Sequence, residues 1–404
     1  MRLMTETEIV SLGQDAAGCA RRRIVVGVTN AQTCLVLKGR LRALREAGFQ
    51  VTLVASPGPL LAACAEAEGV EAVGIPMERD LAPLRDLVSF WKLMRLLGRV
   101  RPAITDFSTP KAGLLGNLAA WMLGIPWRVY TLRGLKLQGA HGWKWRLLLW
   151  AERVSARCAQ VVLCNSVSLR DDALALAIAS AEKLRLLGDG SSNGVDLERF
   201  SPGSDAMRKQ LGFGSDEPVI GFVGRLTRDK GVPELMAAFE NVLIREPSAW
   251  LLLVGWMDAA EDALPEALRQ RIAGHPRVIT TGYVAKVEEY YRGMDLMVLP
   301  THREGFPNAV LEASACGVPV VTTDSTGARD AVVPEVTGLV VPPKHPEAIA
   351  EAVLKLLGDA ALRKRMGAAG RVFATEKYKQ ERVLGLVVEF FLNMVSSNNY
   401  SPPI

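Results

Sequence analysis

Short apolar segments alternate with helical segments along almost the whole chain, and this alternation constrains the fold more than any other feature. In the first half the predicted strands are 23–29, 50–56, 71–76, 102–107, 127–132 and 160–166. In the second half they are 218–224, 248–255, 277–282, 295–300, 318–323 and 337–342. Strands separated by helices form parallel sheets, so the sequence predicts an α/β protein.

A polar, turn-rich stretch, "GDGSSNGVDLERFSPGSD", separates the two series of strands. Because the chain has 404 residues, it is long enough for two Rossmann-like domains, which we expect to face each other across a cleft. Ligands of such sheets bind at the carboxyl ends of the strands, so the cleft is the expected site. The predicted order is a flexible tail (1–22), an N-terminal domain (23–190), a linker (191–205), a C-terminal domain (206–376) and a helix (377–396) apolar enough to pack back on the N-terminal domain.

The composition excludes several classes of protein. Hydrophobic residues make up 49% of the chain and charged residues 23%, which is typical of globular proteins. The six cysteines form no C-x-x-C pair and have no histidine at ligand spacing, so we expect neither disulfides nor a metal, in a reducing cytoplasm. The first 23 residues lack the apolar region of a signal peptide. The sequence contains no run of eighteen apolar residues, so we expect no membrane-spanning helix.

Two cations follow the first strand of the second series, in "GFVGRLTRDKG". Arg225 comes at the end of the strand, and Lys230 stands at the start of the next helix. Cations at this place, beside a helix N-terminus, can bind an anion. A diphosphate suits the planar fork of an arginine and the mobile charge of a lysine. A solvated turn with ordinary surface charges explains the same residues equally well.

Two carboxylates follow a later strand, in "THREGFPNAVLEASACG". Glu304 lies in the loop, where Gly305 permits close approach to a ligand, and Glu312 lies about one turn into the helix. If Asn308 caps this helix, the capping-box position falls on Leu311, so a capping role for Glu312 fits poorly. Because carboxylates repel a diphosphate, we expect these two to accept hydrogen bonds from sugar hydroxyls, each worth roughly 1.5–3 kcal/mol.

Taken together, these motifs resemble those of the retaining glycosyltransferases of family 4, which have the GT-B fold. The matching elements cover most of 190–340 and are "NGVDLERF", "GRLTRDKG", "EGFPNAVLE" and "ACGVPVV". The first half is similar to the same family more loosely. Its "STPKAGLLGNLAA" and "VYTLRGLKL" resemble the branch that builds capsular, exopolysaccharide or O-antigen chains on polyprenyl-diphosphate carriers.

The resemblance implies a reaction and its substrates. The donor is a UDP-sugar, used as a substrate with no separate cofactor, and a hexose or N-acetylhexosamine is transferred with retention and without a metal. The acceptor is a glycan on a polyprenyl-diphosphate lipid, in the synthesis of a surface polysaccharide. The N-terminal domain would bind this acceptor, and the C-terminal domain would bind the nucleotide-sugar.

The resemblance also assigns roles to individual residues. Arg225 and Lys230 would bind the donor diphosphate, where fixed cations can replace a metal in stabilising the leaving group. Glu304 would bind hydroxyls of the transferred sugar, and Glu312 would bind the ribose. Backbone N–H groups would contact sugar and phosphate around Gly305, Phe306 and Asn308.

The chain departs from the family pattern in its first half. Many members have a Gly-Gly loop after the first strand, where this chain has "TNAQTC". Many also have a His-Gly where this chain has "TLRGL", so Arg133 replaces the histidine. We expect Arg133 to act in catalysis on an acceptor phosphate or near the anomeric carbon, and a structural salt bridge is the alternative. The loop histidines His141 and His302 are not expected to be general bases, and retention without a nucleophile fits front-side attack.

Residues 87–157 concentrate positive charge and tryptophan, with 12 Lys and Arg against 2 Asp and Glu, and 6 of the 8 tryptophans. The segments 87–101 and 141–157 mix aromatic, leucine and basic residues at helical spacing. Such helices can lie among lipid headgroups, where each basic residue contributes about 1 kcal/mol. We therefore expect a cytoplasmic protein in peripheral contact with the inner face of the membrane, although ordinary packing helices remain the alternative. Since no nucleic-acid module is visible, nucleic acid is not an expected partner.

Two other functions fit the same fold. One is a GT-B epimerase or hydrolase acting on UDP-sugars, and the other is a catalytically silent subunit that binds sugar nucleotides. The presence of both cations and both carboxylates argues against the silent subunit. No motif specifies which sugar is transferred, the acceptor's identity, the linkage or the oligomeric state.

Overall fold

The computed structural model describes residues 22–78, 82–257 and 262–396. They form two compact units, of which the second comprises 166–169 and 189–382. The first unit takes in the chain up to Asn165, then 170–188 and the segment from Val383. All but the last residue of the predicted tail lies outside the described residues.

Each unit is built on a parallel sheet. The first sheet contains β1 (Arg23–Gly27), β2 (Gln50–Ala55), β3 (Glu71–Gly74), β4 (Ile104–Ser108), β5 (Trp127–Leu132), β6 (Val161–Cys164) and β7 (Leu184–Leu186). The second sheet contains β8 (Val219–Val223), β9 (Trp250–Val254), β10 (Val278–Gly282), β11 (Leu296–Leu299), β12 (Val320–Thr323) and β13 (Gly338–Val341).

Helices connect successive strands. Those up to the end of the first sheet are α1 (Arg40–Glu46), α2 (Pro59–Glu68), α3 (Pro83–Val100), α4 (Pro110–Met122), α5 (Gly142–Cys158) and α6 (Val167–Ala175). Those that follow are α7 (Ala206–Gln210), α8 (Val232–Leu243), α9 (Glu266–Gly274), α10 (Val287–Arg292), α11 (Asn308–Ala315), α12 (Pro346–Gly358), α13 (Ala360–Tyr378) and α14 (Gln380–Ser396). Short 3-10 helices occupy Ala31–Leu37, Lys136–Gly139 and Arg329–Ala331.

The strand order of both sheets is that of doubly wound Rossmann folds. It is β3-β2-β1-β4-β5-β6-β7 in the first sheet and β10-β9-β8-β11-β12-β13 in the second. In each sheet the direction of winding reverses beside the first strand, between β1 and β4 and between β8 and β11. Ligands of such sheets bind at this switch point, outside the carboxyl ends of the strands.

The predicted strands correspond to the observed ones, because strands of a parallel sheet are buried on both faces and therefore apolar. Leu251, Leu252 and Leu253 of β9, for example, are fully buried. Strand β7, a three-residue edge strand in which only Leu184 is buried, was not predicted. Such a segment is too short to show periodicity.

The last helix contributes to the core of the first unit. Val387, Phe391 and Met394 of α14 belong to a cluster of buried side chains that also contains residues of β1, β2 and α1. The Arg40 guanidinium lies 5.8 Å from the centre of the Phe391 ring. The strong apolar character of this helix is therefore used in packing. Among the described residues, no helix is long and apolar enough to cross a membrane.

Candidate functional site

The connections after β8 and β11 meet at the switch point of the second sheet. Gly231, which precedes α8, has a left-handed backbone with φ 73°. A Cβ at this position would lie 2.0 Å from the Pro300 carbonyl oxygen, so the two connections are in direct contact. The His302 N–H donates to the Asp229 carbonyl at 2.9 Å, and the Thr301 hydroxyl donates to it at 3.1 Å. The two predicted motifs are thus fixed against each other.

Lys230 and Glu304 form an ion pair across this junction, with Lys230 Nζ donating to Glu304 Oε1. Their side chains are only 18% and 13% exposed, so solvent screens the pair weakly. One residue was predicted to bind a diphosphate and the other a sugar. The fold brings them together although 74 positions separate them in the sequence.

Asp229 organises the other cations of this junction. Its carboxylate accepts a hydrogen bond from the Thr227 hydroxyl at 2.6 Å and lies 3.4 Å from Arg303 and 3.8 Å from Arg225. Burial opposes ionisation of Asp229, but the Thr227 hydrogen bond and the charges of Lys230, Arg303 and Arg225 outweigh it and lower its pKa. The carboxylate therefore stays ionised and holds both guanidinium groups near the carboxyl ends of β8 and β11.

Arg303 also lies at this junction, and no role was predicted for it from the sequence. Its guanidinium is 19% exposed and also lies 3.5 Å from Asp262, so two carboxylates flank it. The signal was present, because Arg303 directly precedes Glu304 in the loop. It was overlooked because a single arginine in a polar loop usually has no specific role.

The loop after Glu304 is held from behind by a third connection, the one that follows β12. The Glu304 N–H donates to the Thr326 carbonyl at 2.9 Å. Gly327 has φ 74°, and a Cβ there would lie 2.5 Å from the Gly305 carbonyl oxygen. Phe306 is 7% exposed, and its ring packs 5.0 Å from that of Tyr378. The Phe306 side chain is thus structural, which leaves the predicted ligand contact to its backbone.

Asn308 is the first residue of α11, and Pro307 occupies the N-cap. The helix thus begins where it was predicted to begin, the cap considered for Asn308 lies one position earlier, and no side chain makes a capping hydrogen bond at this end. Asn308 Nδ2 donates to Asn193 Oδ1 at 3.0 Å. The Oδ1 atom of Asn308 is buried and has no hydrogen-bond partner among the described residues. An unsatisfied buried acceptor of this kind is compatible with a ligand that supplies a donor.

Glu312 has a protein partner in α10. Its Oε2 accepts a hydrogen bond from the Tyr291 hydroxyl at 2.9 Å. Burial, followed by the neighbouring charge of Glu312, raises the pKa of Tyr291 well above its ordinary value. An ionised carboxylate can accept about four hydrogen bonds, so a ribose contact at Glu312 would be shared with this one.

Arg133 belongs to the first unit, unlike the other predicted site residues. It follows β5, and its Nε donates to Ser108 Oγ at 3.0 Å. Asp106 and Arg40 form a buried ion pair nearby, with a 2.8 Å separation. Burial and the charge of Arg40 lower the pKa of Arg133 to about 9, although Asp106 opposes the shift. Arg133 is therefore a desolvated cation at the carboxyl edge of the first sheet.

The two loop histidines have different surroundings. His302 Nε2 lies 3.0 Å from Glu234 Oε1 in the second unit, whereas His141 is exposed at the start of α5. Within the described residues, no three or more His, Cys, Asp or Glu side chains are grouped so that they could hold a metal ion.

Two family models match the chain. The model "Glycosyl transferases group 1" matches residues 203–373, and "Glycosyl transferase 4-like domain" matches residues 38–190. The capsular polysaccharide biosynthesis glycosyltransferase CapM of Staphylococcus aureus is 35% identical over 88% of this chain and 92% of its own length. The chain belongs to the family 4 glycosyltransferases.

A second relative comes from Escherichia coli. It is the UDP-Gal:alpha-D-GlcNAc-diphosphoundecaprenol alpha-1,3-galactosyltransferase, 26% identical over 73% of this chain and 77% of its own length. Together with CapM, it relates this glycosyltransferase to the branch that includes capsular enzymes.

Solved structures match the fold of this glycosyltransferase. Sucrose-phosphate synthase from Thermosynechococcus elongatus has a TM-score of 0.76 at 21% identity and covers 93% of this chain and 100% of that one. Anabaena HepE, solved in complex with UDP and glucose, has a TM-score of 0.76 at 19% identity and covers 91% of this chain and 99% of that one. The fold class is therefore the predicted one, GT-B.

Proposed function

We propose that this glycosyltransferase moves a hexose or N-acetylhexosamine from a UDP-sugar, with retention, to a polyprenyl-diphosphate-linked glycan during surface polysaccharide synthesis. The observation that carries the proposal is the direct pairing of Lys230 with Glu304. In a nucleotide-sugar the terminal phosphate and the sugar are joined by one oxygen atom. A cation and a carboxylate in contact can therefore bind the two groups side by side.

The cations of the second unit provide the chemistry that the donor needs. When the bond between the anomeric carbon and the diphosphate breaks, negative charge develops on the departing oxygen. Lys230, which is paired with Glu304, and Arg225 stabilise that charge. Arg303 is a third cation, and the Asp229 carboxylate that lies near Arg225 also holds Arg303. Since these cations are fixed before the reaction, we propose that transfer needs no metal.

The carboxylates position the donor. Glu304 accepts hydrogen bonds from hydroxyls of the transferred sugar, and Glu312 accepts from the ribose while it keeps Tyr291. Backbone N–H groups near Gly305, Phe306 and Asn308 contact sugar and phosphate. The acceptor oxygen then bonds to the anomeric carbon on the face that the diphosphate leaves, and the departing phosphate oxygen takes the acceptor's proton.

Four observations support the choice of substrates. The E. coli relative is named for UDP-galactose and for an acceptor on diphosphoundecaprenol, and HepE has been solved with UDP and glucose. Arg133 is a partly desolvated cation, suited to the phosphate of a lipid-linked acceptor. The remaining support is the relation to CapM, which is named for capsular polysaccharide biosynthesis.

A substrate screen tests this function. UDP-glucose, UDP-galactose, UDP-GlcNAc and UDP-GalNAc are each incubated with the protein, with and without prenyl-diphosphate saccharides, and UDP release is measured. We expect release from one or two donors, increased by the acceptor, and an α-linked product by NMR. A β-linked product would contradict retention. UDP release that no acceptor increases would favour a hydrolase, and conversion of the donor without release would favour an epimerase.

We also propose that the first unit attaches to anionic membranes through α3 and α5. On α3, Leu84, Leu87, Val88 and Trp91 recur at helical spacing and are 82%, 55%, 55% and 61% exposed. Trp143 and Trp150 of α5 are 65% and 57% exposed. Exposed apolar residues on helices that also carry basic residues are typical of surfaces that lie among headgroups.

Flotation with anionic liposomes at low and high salt tests the attachment. The double variant Leu87→Glu/Trp91→Glu should lose binding because it places charge on the exposed apolar stripe. Ile244→Glu is the matched control, since Ile244 is 79% exposed in the second unit. Wild-type protein that fails to float at either salt concentration, or a double variant that floats like wild type, would refute this mode of attachment.

A further inference from the structure

A cavity of about 680 Å³ lies in the first unit. Its walls come from the 3-10 helix after β5, from the first turns of α5 and from the second half of α6, and they include Gln138, Trp145, Arg146, Asp172 and Leu176. The volume falls within the roughly 300–1,000 Å³ typical of small-ligand sites. His141, Trp145 and Arg146 of its wall belong to the basic, tryptophan-rich segment 141–157, and no role in ligand binding has been proposed above for the cavity.

Hydrogen bonds between the elements hold the walls in place. Gln138 Nε2 donates to Asp172 Oδ2 at 2.9 Å and joins the 3-10 helix to α6. Arg153 donates to the Leu176 carbonyl at 2.8 Å and joins α5 to the end of α6. The cavity is thus built from three elements that are tied to one another, as a binding site requires.

The side chains that line the cavity limit the chemistry of its ligand. Trp145 is half-buried and offers an aromatic face, on which the apolar side of a pyranose ring can pack. The Gln138–Asp172 pair offers an amide and an ionised carboxylate, which suit hydroxyl groups. An aromatic face opposite an amide and a carboxylate matches the apolar side and the hydroxyl groups of a sugar ring, so a sugar fits this part of the cavity best.

Arg146 adds a binding group for an anion. It is exposed, lines the cavity, and forms no ion pair or hydrogen bond with any residue in the described part of the chain. An arginine fork binds a phosphate with two parallel hydrogen bonds. His141, also exposed at the cavity, can add a further donor.

We propose that this cavity binds a glycosyl phosphate, with the sugar between Trp145 and the Gln138–Asp172 pair and the phosphate on Arg146. The inference rests on the proposed function, because it makes the cavity a subsite for a phosphorylated sugar of the acceptor. The same chemistry is present in a lipid-linked sugar diphosphate and in a free sugar 1-phosphate.

Binding is tested on the full chain without a donor. Saturation-transfer NMR and calorimetry are carried out with the 1-phosphates of glucose, galactose, GlcNAc and GalNAc, with the same sugars unphosphorylated, and with inorganic phosphate. We expect at least one sugar 1-phosphate to bind at least tenfold more tightly than either of its parts. Comparison with a short-chain prenyl-diphosphate sugar shows whether the lipid-linked form is preferred.

Matched variants locate the binding. Arg146→Ala and Asp172→Asn should each weaken sugar 1-phosphate binding at least tenfold, with unchanged UDP affinity and melting temperature. Arg170→Ala and Asp171→Asn are the controls. Each removes a charge of the same sign as its cavity counterpart, from a position in α6 that does not line the cavity, and each should bind like wild type.

Three results would overturn the proposal. These are the absence of saturable binding by any of the four sugar 1-phosphates, equal affinity for inorganic phosphate alone, and unchanged binding in both cavity variants. The proposed transferase function is refuted by a different result, namely that no UDP-sugar in the screen supports transfer. A protein that transfers sugar with the same acceptor KM in wild type and cavity variants would keep its function and lose this subsite.

Discussion

The contact between Lys230 and Glu304 leads to a prediction with opposite signs for its two partners. Before the donor binds, each side chain neutralises the other in a partly buried place. On the proposed roles, UDP, which carries the diphosphate without the sugar, needs Lys230 but gains nothing from Glu304. Lys230→Ala should therefore weaken UDP binding, whereas Glu304→Gln should leave it unchanged or strengthen it, while both lower the rate of transfer.

The magnitudes follow from charge and hydrogen bonding. Loss of one charge-assisted hydrogen bond from Lys230 costs about 1.5–3 kcal/mol, and the measured loss should lie near the lower value because Lys230 is shared between Glu304 and UDP. Two unit charges about 6 Å apart interact by about 3 kcal/mol at an effective dielectric constant of about 20, which limits the gain from Glu304→Gln. Turnover in Glu304→Gln should fall at least tenfold, or about 1.4 kcal/mol, because a sugar hydroxyl loses an ionised acceptor.

Calorimetry with UDP and steady-state rates of transfer measure the two effects, and thermal unfolding checks that each variant is folded. Lys209→Ala removes an exposed lysine of the same unit and should match wild type in all three. In the double variant the effects should not add, because the two side chains are in contact. A Glu304→Gln variant that loses UDP affinity in parallel with turnover, or that turns over at the wild-type rate, would refute this account.

Three further predictions concern stability, packing and metal dependence. Burial raises the pKa of Glu152 from 4.5 to about 7, although a hydrogen bond from Tyr130 opposes the shift. As the pH rises, the carboxyl of the unfolded chain therefore ionises before that of the folded protein. The free energy of unfolding should fall by about 3 kcal/mol between those two pH values. Glu152→Gln should remove that slope in urea titrations at pH 5 and pH 8, and an unchanged slope would contradict the assignment. Gly231→Ala should cost about 2 kcal/mol or more and weaken UDP binding, because its Cβ would meet the Pro300 carbonyl, and a wild-type melting temperature would show that the loops can separate. Addition of EDTA should leave the rate of sugar transfer unchanged, and a loss that Mg²⁺ or Mn²⁺ restores would show that the cations do not suffice.

Local patterns predicted much of this fold. Buried parallel strands are continuous apolar runs, and each of the predicted strands overlaps an observed one within a few residues. Arg225 and Glu304 could also be placed at strand ends, because a strand followed by a polar loop is visible in a single stretch of sequence. The edge strand Leu184–Leu186 escaped because three residues cannot show a period.

Pairings between distant segments could not be predicted in the same way. The Lys230–Glu304 contact depends on β8 and β11 being neighbours, which follows from the strand order and not from either loop. Glu312 was assigned to a ligand without any sign of its hydrogen bond to Tyr291, which comes from a different helix. The cavity beside Trp145 is built from three elements, none of which is unusual by itself.

The packing of α14 has a consequence for how the polypeptide is made. Val387, Phe391 and Met394 complete a hydrophobic core whose other members lie almost entirely before residue 190. A ribosome must therefore synthesise all of the second unit before the first can close its core. Protein expressed only to residue 190 would expose that apolar surface and aggregate, whereas truncation of the chain before Val383 would damage the first unit while leaving Lys230 and Glu304 paired.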